Sequence, residues 1–195
     1  NGRGGVSSAA RDQVLAALDA LGYERPLKLP SRSTGLVGLI VPSLGDPIVP
    51  AFAQIISSGL ARRDLTPILC PQDIGGVSED DYVEMLLEHQ VSGIIVLAGQ
   101  HANEHSDKLR YQRLVSAQLP LVLVNGYSAD IQARFVSDDD AAGVEMAFDH
   151  LRLLDHTRIG LTVGPRGLVT TERRIAAFTR LATALPGDAA DSIAS

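Results

Sequence analysis

The side chains of this chain that could do chemistry are few, and most fall just beyond short apolar runs. His101 and His105 stand four residues apart with Glu104 between them, a spacing that binds metal when it lies on a helix. No third ligand accompanies them and Asn103 and Ser106 flank them, so the expectation is a solvated loop. Cys70 closes an apolar run with no histidine near it in sequence, which makes it a structural thiol rather than a nucleophile. Asp138, Asp139 and Asp140 offer either a cation cluster or one inward carboxylate with one helix cap, and the second is expected. There is no G-x-S-x-G elbow, no glycine-rich phosphate loop with its lysine, no G-x-G-x-x-G and no H-E-x-x-H. Catalytic residues, cofactors and metals are therefore not expected. What remains is positional. Ser43, Asp46, Asn125 and Asp139 each follow an apolar run, and short polar side chains converging there would hydrogen-bond the hydroxyls of a small ligand, as in sugar recognition. Arg173 and Arg174 open a helix-like segment; one is expected to reach across a cleft with its forked donors, the other to be solvated.

Side chains beyond strand ends need strands to carry them. Leu36 to Val41 is nearly continuous and β-branched, as in a parallel strand covered on both faces. Pro42 stops it. Asp46-Pro47 then opens a helix running to Gly59, with Asp46 as cap and Pro47 at the first helical position. Further strands are predicted over 66–70, 93–98, 121–124, 135–137 and 158–163. Helices are predicted from Ser78, over 106–118, over 140–154 and from Thr171 to Leu185. The first of these has Asp81 at the capping-box position and an inner face of Tyr82, Met85, Leu86 and His89. Such alternation specifies an α/β fold with a doubly wound parallel sheet. Past Ser137 only one strand and two helices are legible, so a second lobe looks incomplete, and the polar tail PGDAADSIAS is expected to fray.

Upstream, Ser7 to Leu21 reads as a short helix with Val14, Leu18 and Leu21 on one face and Gly22 as its stop. Pro26 and Pro30 break the next stretch into a linker. Residues 1–34 carry five basic and three acidic side chains, a net of +2, so the remainder of this chain of net charge −6 carries −8. A basic arm on an acidic body points to nucleic-acid contact confined to the arm. Cys70 is the single cysteine, which excludes an internal disulfide and suits a reducing cytoplasm. No apolar run approaches the roughly 18–20 residues of a spanning helix, so no membrane partner is expected.

Taken together, these segments resemble the LacI/GalR family of bacterial transcriptional repressors. NGRGGVSSAARDQVLAALDALGYERP is similar to the end of that family's helix-turn-helix headpiece, and TGLVGLIVPSLGDPIVPAF to its first core strand and turn. VSGIIVLAG, LPLVLVNG, the V-x-x-D of Val136–Asp139, HLRLLDHTRIGLTVGP and RRIAAF follow in family order. The resemblance implies four parts: a headpiece remnant over 1–22, a hinge over 23–34, the first lobe of a periplasmic-binding-protein-like (type I) core over 35–137, and a partial second lobe over 138–195. It implies a homodimer on operator DNA, with the helix from Pro47 facing the partner, and a small effector, usually a sugar, between the lobes. Carried over by position, Arg174, Asn125 and the Ser43, Asp46 and Pro47 loop are effector contacts, to which the strand-end reading adds Asp139. Arg3, Arg11 and Tyr23 would touch phosphates, which position without specifying. Leu27 or Leu29 would be the minor-groove wedge, in a linker that is shortened and has Pro30 at its centre. The family's two preceding helices would lie before Asn1. Asp155 replaces the glycine expected before His156, where a positive φ is less costly for Asp than for most residues. A solute-binding protein of a transport system shares the core fold and is the alternative, with the basic arm against it.

Overall fold

The apolar runs become one parallel sheet. The structure, a computed structural model, describes residues 35–73, 75–184 and 193–194. These belong to one compact unit that begins at Gly35. The headpiece, the hinge and the DNA contacts assigned to Arg3, Arg11, Tyr23, Leu27 and Leu29 lie outside the described residues.

In chain order the unit runs β1 (Gly35–Val41), α1 (Ile48–Ala61), β2 (Leu65–Pro71), α2 (Glu79–Glu88), β3 (Gly93–Leu97), α3 (Leu109–Ser116), β4 (Leu121–Val124) and β5 (Arg134–Val136). α4 (Asp140–Leu153), β6 (Leu161–Thr162), α5 (Val169–Thr183) and β7 (Ile193–Ala194) follow. The first five strands form one sheet in the order β2-β1-β3-β4-β5, and every pair is parallel. Leu39, Ile40 and Val41 are completely buried because both faces of β1 are covered. On one face Ile40 packs with Val83 and Leu86 of α2 and with Tyr111 and Leu114 of α3. On the other, Leu39 and Val41 pack with Val49 and Ala53 of α1. Gly38 lets α2 approach: a Cβ there would stand 2.3 Å from Leu86 Cδ1.

The local signals mostly hold. Ser78 Oγ accepts from Asp81 N and Asp81 Oδ2 accepts from Ser78 N, closing the expected capping box. Val83 and Leu86 take the deep positions of α2, with Tyr82 and Met85 partly buried. His89, expected inward, is exposed at the helix end, with Nδ1 2.8 Å from the Met85 carbonyl oxygen. The start of α1 lies one residue later than read: Pro47 occupies the capping position, and Asp46 Oδ1 accepts from Ile48 N at 3.1 Å. α3 is shorter than 106–118: Asp107 Oδ1 accepts from Leu109 N at its start, and Gln118, at φ +58°, lies past its end. Asp155 has φ +61°, the left-handed conformation that its glycine-like position required.

Beyond β5 a second core forms around Phe148 of α4 and Phe178 and Ala182 of α5, with Ile159 buried beside them. The strand read over 158–163 is only Leu161–Thr162, bounded by Gly160 and Gly164-Pro165, which are poor strand formers. It does not stand alone. Ile193–Ala194, in the tail expected to fray, pairs with it in parallel, because an unpaired strand edge offers free N–H and C=O groups. Among the described residues no helix is long and apolar enough to cross a membrane.

Candidate functional site

The carboxyl ends of β3 and β4 are where the backbone departs from easy geometry. Ala98 and Asn125, the residues that follow the two strands, are both left-handed, with φ of 46° and 60°. Ala98 N donates to the Val124 carbonyl at 2.8 Å and Asn125 N to Val136 at 2.9 Å, so the sheet hydrogen bonds continue through the bend. For alanine this conformation costs about 1–2 kcal/mol, the kind of strain that gathers at binding sites.

These two residues line a small cleft of about 140 Å³ together with Ser137, Asp140, Thr170 and Arg174. The first turn of α4 supplies the acids. Asp139 is the helix cap, its Oδ1 accepting from Ala142 N at 3.0 Å. Asp140 is the inward carboxylate of the expected pair, with its side chain 1% exposed. α5 supplies the base: Arg174 Nε donates to Asp140 Oδ1 at 2.8 Å while the guanidinium remains 52% exposed. Two sets of groups are left unspent. Asp140 Oδ2 is buried with no hydrogen-bond partner among the described residues. The Nη groups of Arg174 make no bond there either. A buried carboxylate oxygen without a donor costs free energy that a ligand hydroxyl would recover. Behind the pair lies a wider, mostly apolar hollow of about 350 Å³, walled by Phe148, Leu151 and Phe178 and sharing Asp138, Asp140 and Arg174 with the cleft.

The sequence expectations are therefore only partly gathered in one place. Asn125 and Arg174 line the same cleft. Asp139 lines the apolar hollow and not the cleft. Ser43, Asp46 and Pro47 are exposed and line neither; Ser43 Oγ accepts from Gly45 N within its own turn. Arg173, expected to be solvated, is half-buried with its guanidinium carbon 5.9 Å from the Tyr127 ring centroid. His101 overturns the solvated-loop expectation outright. It is completely buried, edge-on to Tyr111 at 5.7 Å and beside Phe135. Burial holds its pKa down at about 4. No group of His, Cys, Asp or Glu able to hold a metal occurs among the described residues. Cys70 is buried as expected, and burial pushes its thiol up to about 11.

Sequence reasoning missed Glu79 and left open which of Asp138–Asp140 faces inward, and one signal would have settled both. Asp140 is in helical phase with Val144, Phe148 and Leu151, and Glu79 with Val83 and Leu86. Each is an acid on the apolar stripe of its helix. Glu79, 3% exposed, accepts from Tyr111 Oη and from Gln100 N, and so ties α2 to the turn after β3.

Comparison with known proteins follows the same lines. No family model matches the chain. It is 50% identical over 180 residues to the HTH-type transcriptional regulator reg1 of Streptomyces lividans, covering 92% of this chain and 52% of the relative. A periplasmic binding protein/LacI transcriptional regulator from Alkaliphilus metalliredigens, solved with D-xylulofuranose, superimposes with a TM-score of 0.64 at 29% identity, over 76% of this chain and 52% of that one. The lac repressor dimer bound to operator and an anti-inducer matches with a TM-score of 0.63 at 22% identity, over 92% and 54%, a likeness of fold. The chain spans about half the length of the curated relatives it matches. With the parallel core of those regulators and half its residues identical to one of them, the chain belongs to the LacI/GalR family.

Proposed function

We propose that the chain is the effector-sensing part of a LacI-type DNA-binding repressor. On this reading residues 1–22 close a helix-turn-helix headpiece, 23–34 are the hinge, 35–137 the first lobe and 138–195 part of the second. The effector is a small polyhydroxylated metabolite bound at the Asn125–Asp140–Arg174 cleft, and its binding biases the lobes and so the operator affinity. The observation that carries this is the Asp140–Arg174 pair: a buried carboxylate oxygen without a donor beside unspent guanidinium donors, at the strained ends of two strands. Acceptor and donors side by side match the hydroxyls of a sugar. The names of the relatives, regulators rather than transport proteins, favour this over a solute-binding protein. The protein then binds rather than turns over its ligand, works in the cytoplasm and acts as a homodimer.

The test is a gel-shift titration of the full-length regulator on its own promoter region with a panel of neutral sugars. One sugar is expected to shift the operator midpoint. Arg174→Ala should cost roughly 1.5–3 kcal/mol of effector affinity by calorimetry, about what a hydrogen bond to a charged group contributes. No retardation at low salt, or full effector affinity in Arg174→Ala, would overturn the reading.

A further inference from the structure

A second cavity lies against the first two turns of α5, and nothing in the proposed regulator mechanism uses it. It occupies about 400 Å³ between the turn after β3, the loop after β4 and the first two turns of α5, and shares no residue with the Asn125 cleft. Its two sides are stitched together: Glu104 N donates to the Gly167 carbonyl at 2.8 Å, and Asn103 pairs with Leu168 in an isolated antiparallel bridge.

The chemistry of the lining is specific. His101 lies at the cavity wall, wholly buried, with the Val124 and Asn125 backbone against its ring. Burial keeps the ring neutral at physiological pH, so it backs the cavity as an uncharged wall. Lys108 contributes charge but no free donor, since Nζ is spent on the carbonyls of Gln100, His101 and Asn103. Arg173 stacks on Tyr127, and among the described residues neither its guanidinium nor the Ser128 hydroxyl makes a hydrogen bond. Glu104 and Asp130 line this space, and neither makes an ion pair among the described residues. Glu172 is already neutralised by Arg166, whose Nε and Nη2 donate to it at 2.8 and 3.0 Å. Two cations, Lys108 and Arg173, thus face two unpaired acids, Glu104 and Asp130. An electrically balanced cavity of this size, rich in unspent donors and acceptors and walled by a tyrosine ring, disfavours a charged ligand and accommodates a neutral one with many hydroxyls.

We propose that this cavity is a second binding site, for an uncharged polyhydroxylated ligand of sugar size, separate from the Asn125–Asp140–Arg174 cleft. Because its walls come from the turn after β3, the loop after β4 and α5, occupancy stabilises that arrangement of the sheet against α5.

The experiment is a titration of the 195-residue chain with glucose, maltose, glucosamine and glucose 6-phosphate, followed by backbone amide chemical shifts. The neutral sugars are expected to move the Glu104, Ser128 and Asp130 amides. The ammonium and phosphate analogues should bind there at least about tenfold more weakly, roughly 1.4 kcal/mol. Asp130→Asn, an exposed and conservative change, should weaken these shifts while leaving those at Asn125 in place. Arg174→Ala should do the reverse, which keeps the second site apart from the first. The proposal fails if no neutral sugar moves these amides, if a charged analogue moves them more, or if Arg174→Ala abolishes both sets together.

Discussion

The side chain that decides most at the residue scale is one that reads as loop. His101 is completely buried between Tyr111 and Phe135, and burial lowers its pKa from the ordinary 6.5 to about 4. An unfolded chain takes up a proton on this ring as the pH falls through 6.5, whereas the folded chain stays unprotonated until about 4. Stability is therefore fully present above 6.5 and drains away as the pH falls through that window, by about 3 kcal/mol at most. Asp81 and Glu172, held below their ordinary 3.8 and 4.5 by their hydrogen-bond partners, lose their stabilisation lower on the scale. The upper part of the decline, from 6.5 to about 4.5, thus belongs to His101. His101→Leu is expected to flatten it in chemical denaturation at stepped pH; an unchanged slope in the variant would assign the decline elsewhere. Nothing in the sequence marks this ring, because its burial comes from the 3₁₀ turn and from the Lys108 ammonium gripping three carbonyls, neither of which has a periodicity.

Elements were legible where periodicity or caps define them. The continuous apolar β1, the Ser78–Asp81 box, the cap-plus-inward-acid reading of the Asp138–Asp140 run and the positive φ at Asp155 could all be read from neighbouring residues. What escaped is set by packing between elements. The choice of Asp140 among the three aspartates, the phase of Glu79 on its apolar stripe, and the position of Ser43–Pro47 outside the cleft lining depend on where α4, α2 and α1 settle. Gly99 shows the constraint most directly. It joins β3 to the 3₁₀ turn, and a Cβ there would stand 2.4 Å from Val96 Cγ1 and 2.6 Å from Glu79 Oε2. Its φ of −81° suits any residue, so the requirement is steric alone. Gly99→Ala is expected to push the Glu79 carboxylate off Gln100 N and destabilise the fold by about 1–3 kcal/mol, as overpacking does. Thermal unfolding measures the loss; a Tm at or above that of the unsubstituted chain would show that Glu79 is not seated against this turn.

For the whole molecule, the decisive surface is the one the sheet leaves uncovered. α1 buries Val49 and Ala53 against β1, yet turns Ile48 and Ile55, two helical turns apart, to solvent at 58% and 68% exposure. α4 exposes Met146 and Leu153 at 75% and 83% in the same way. Both patches could drive association, and only one agrees with the proposed homodimer, in which α1 faces a second copy. A fully buried isoleucine contributes about 1.5–3 kcal/mol, and a twofold interface counts each residue twice. A glutamate at the right patch should therefore dissociate the dimer, while one at the wrong patch should leave it. Ile55→Glu is expected to shift sedimentation-velocity profiles to monomer with the fold intact by circular dichroism, and Leu153→Glu to leave them unchanged. The opposite pattern would move the interface to α4, beside the apolar hollow that shares Asp140 and Arg174 with the cleft. Ligand binding and association would then compete for one surface, and the affinity for sugar would fall as protein concentration rose. With α1 as the interface, affinity at the cleft is independent of concentration, so the same titration run at two protein concentrations separates the two arrangements.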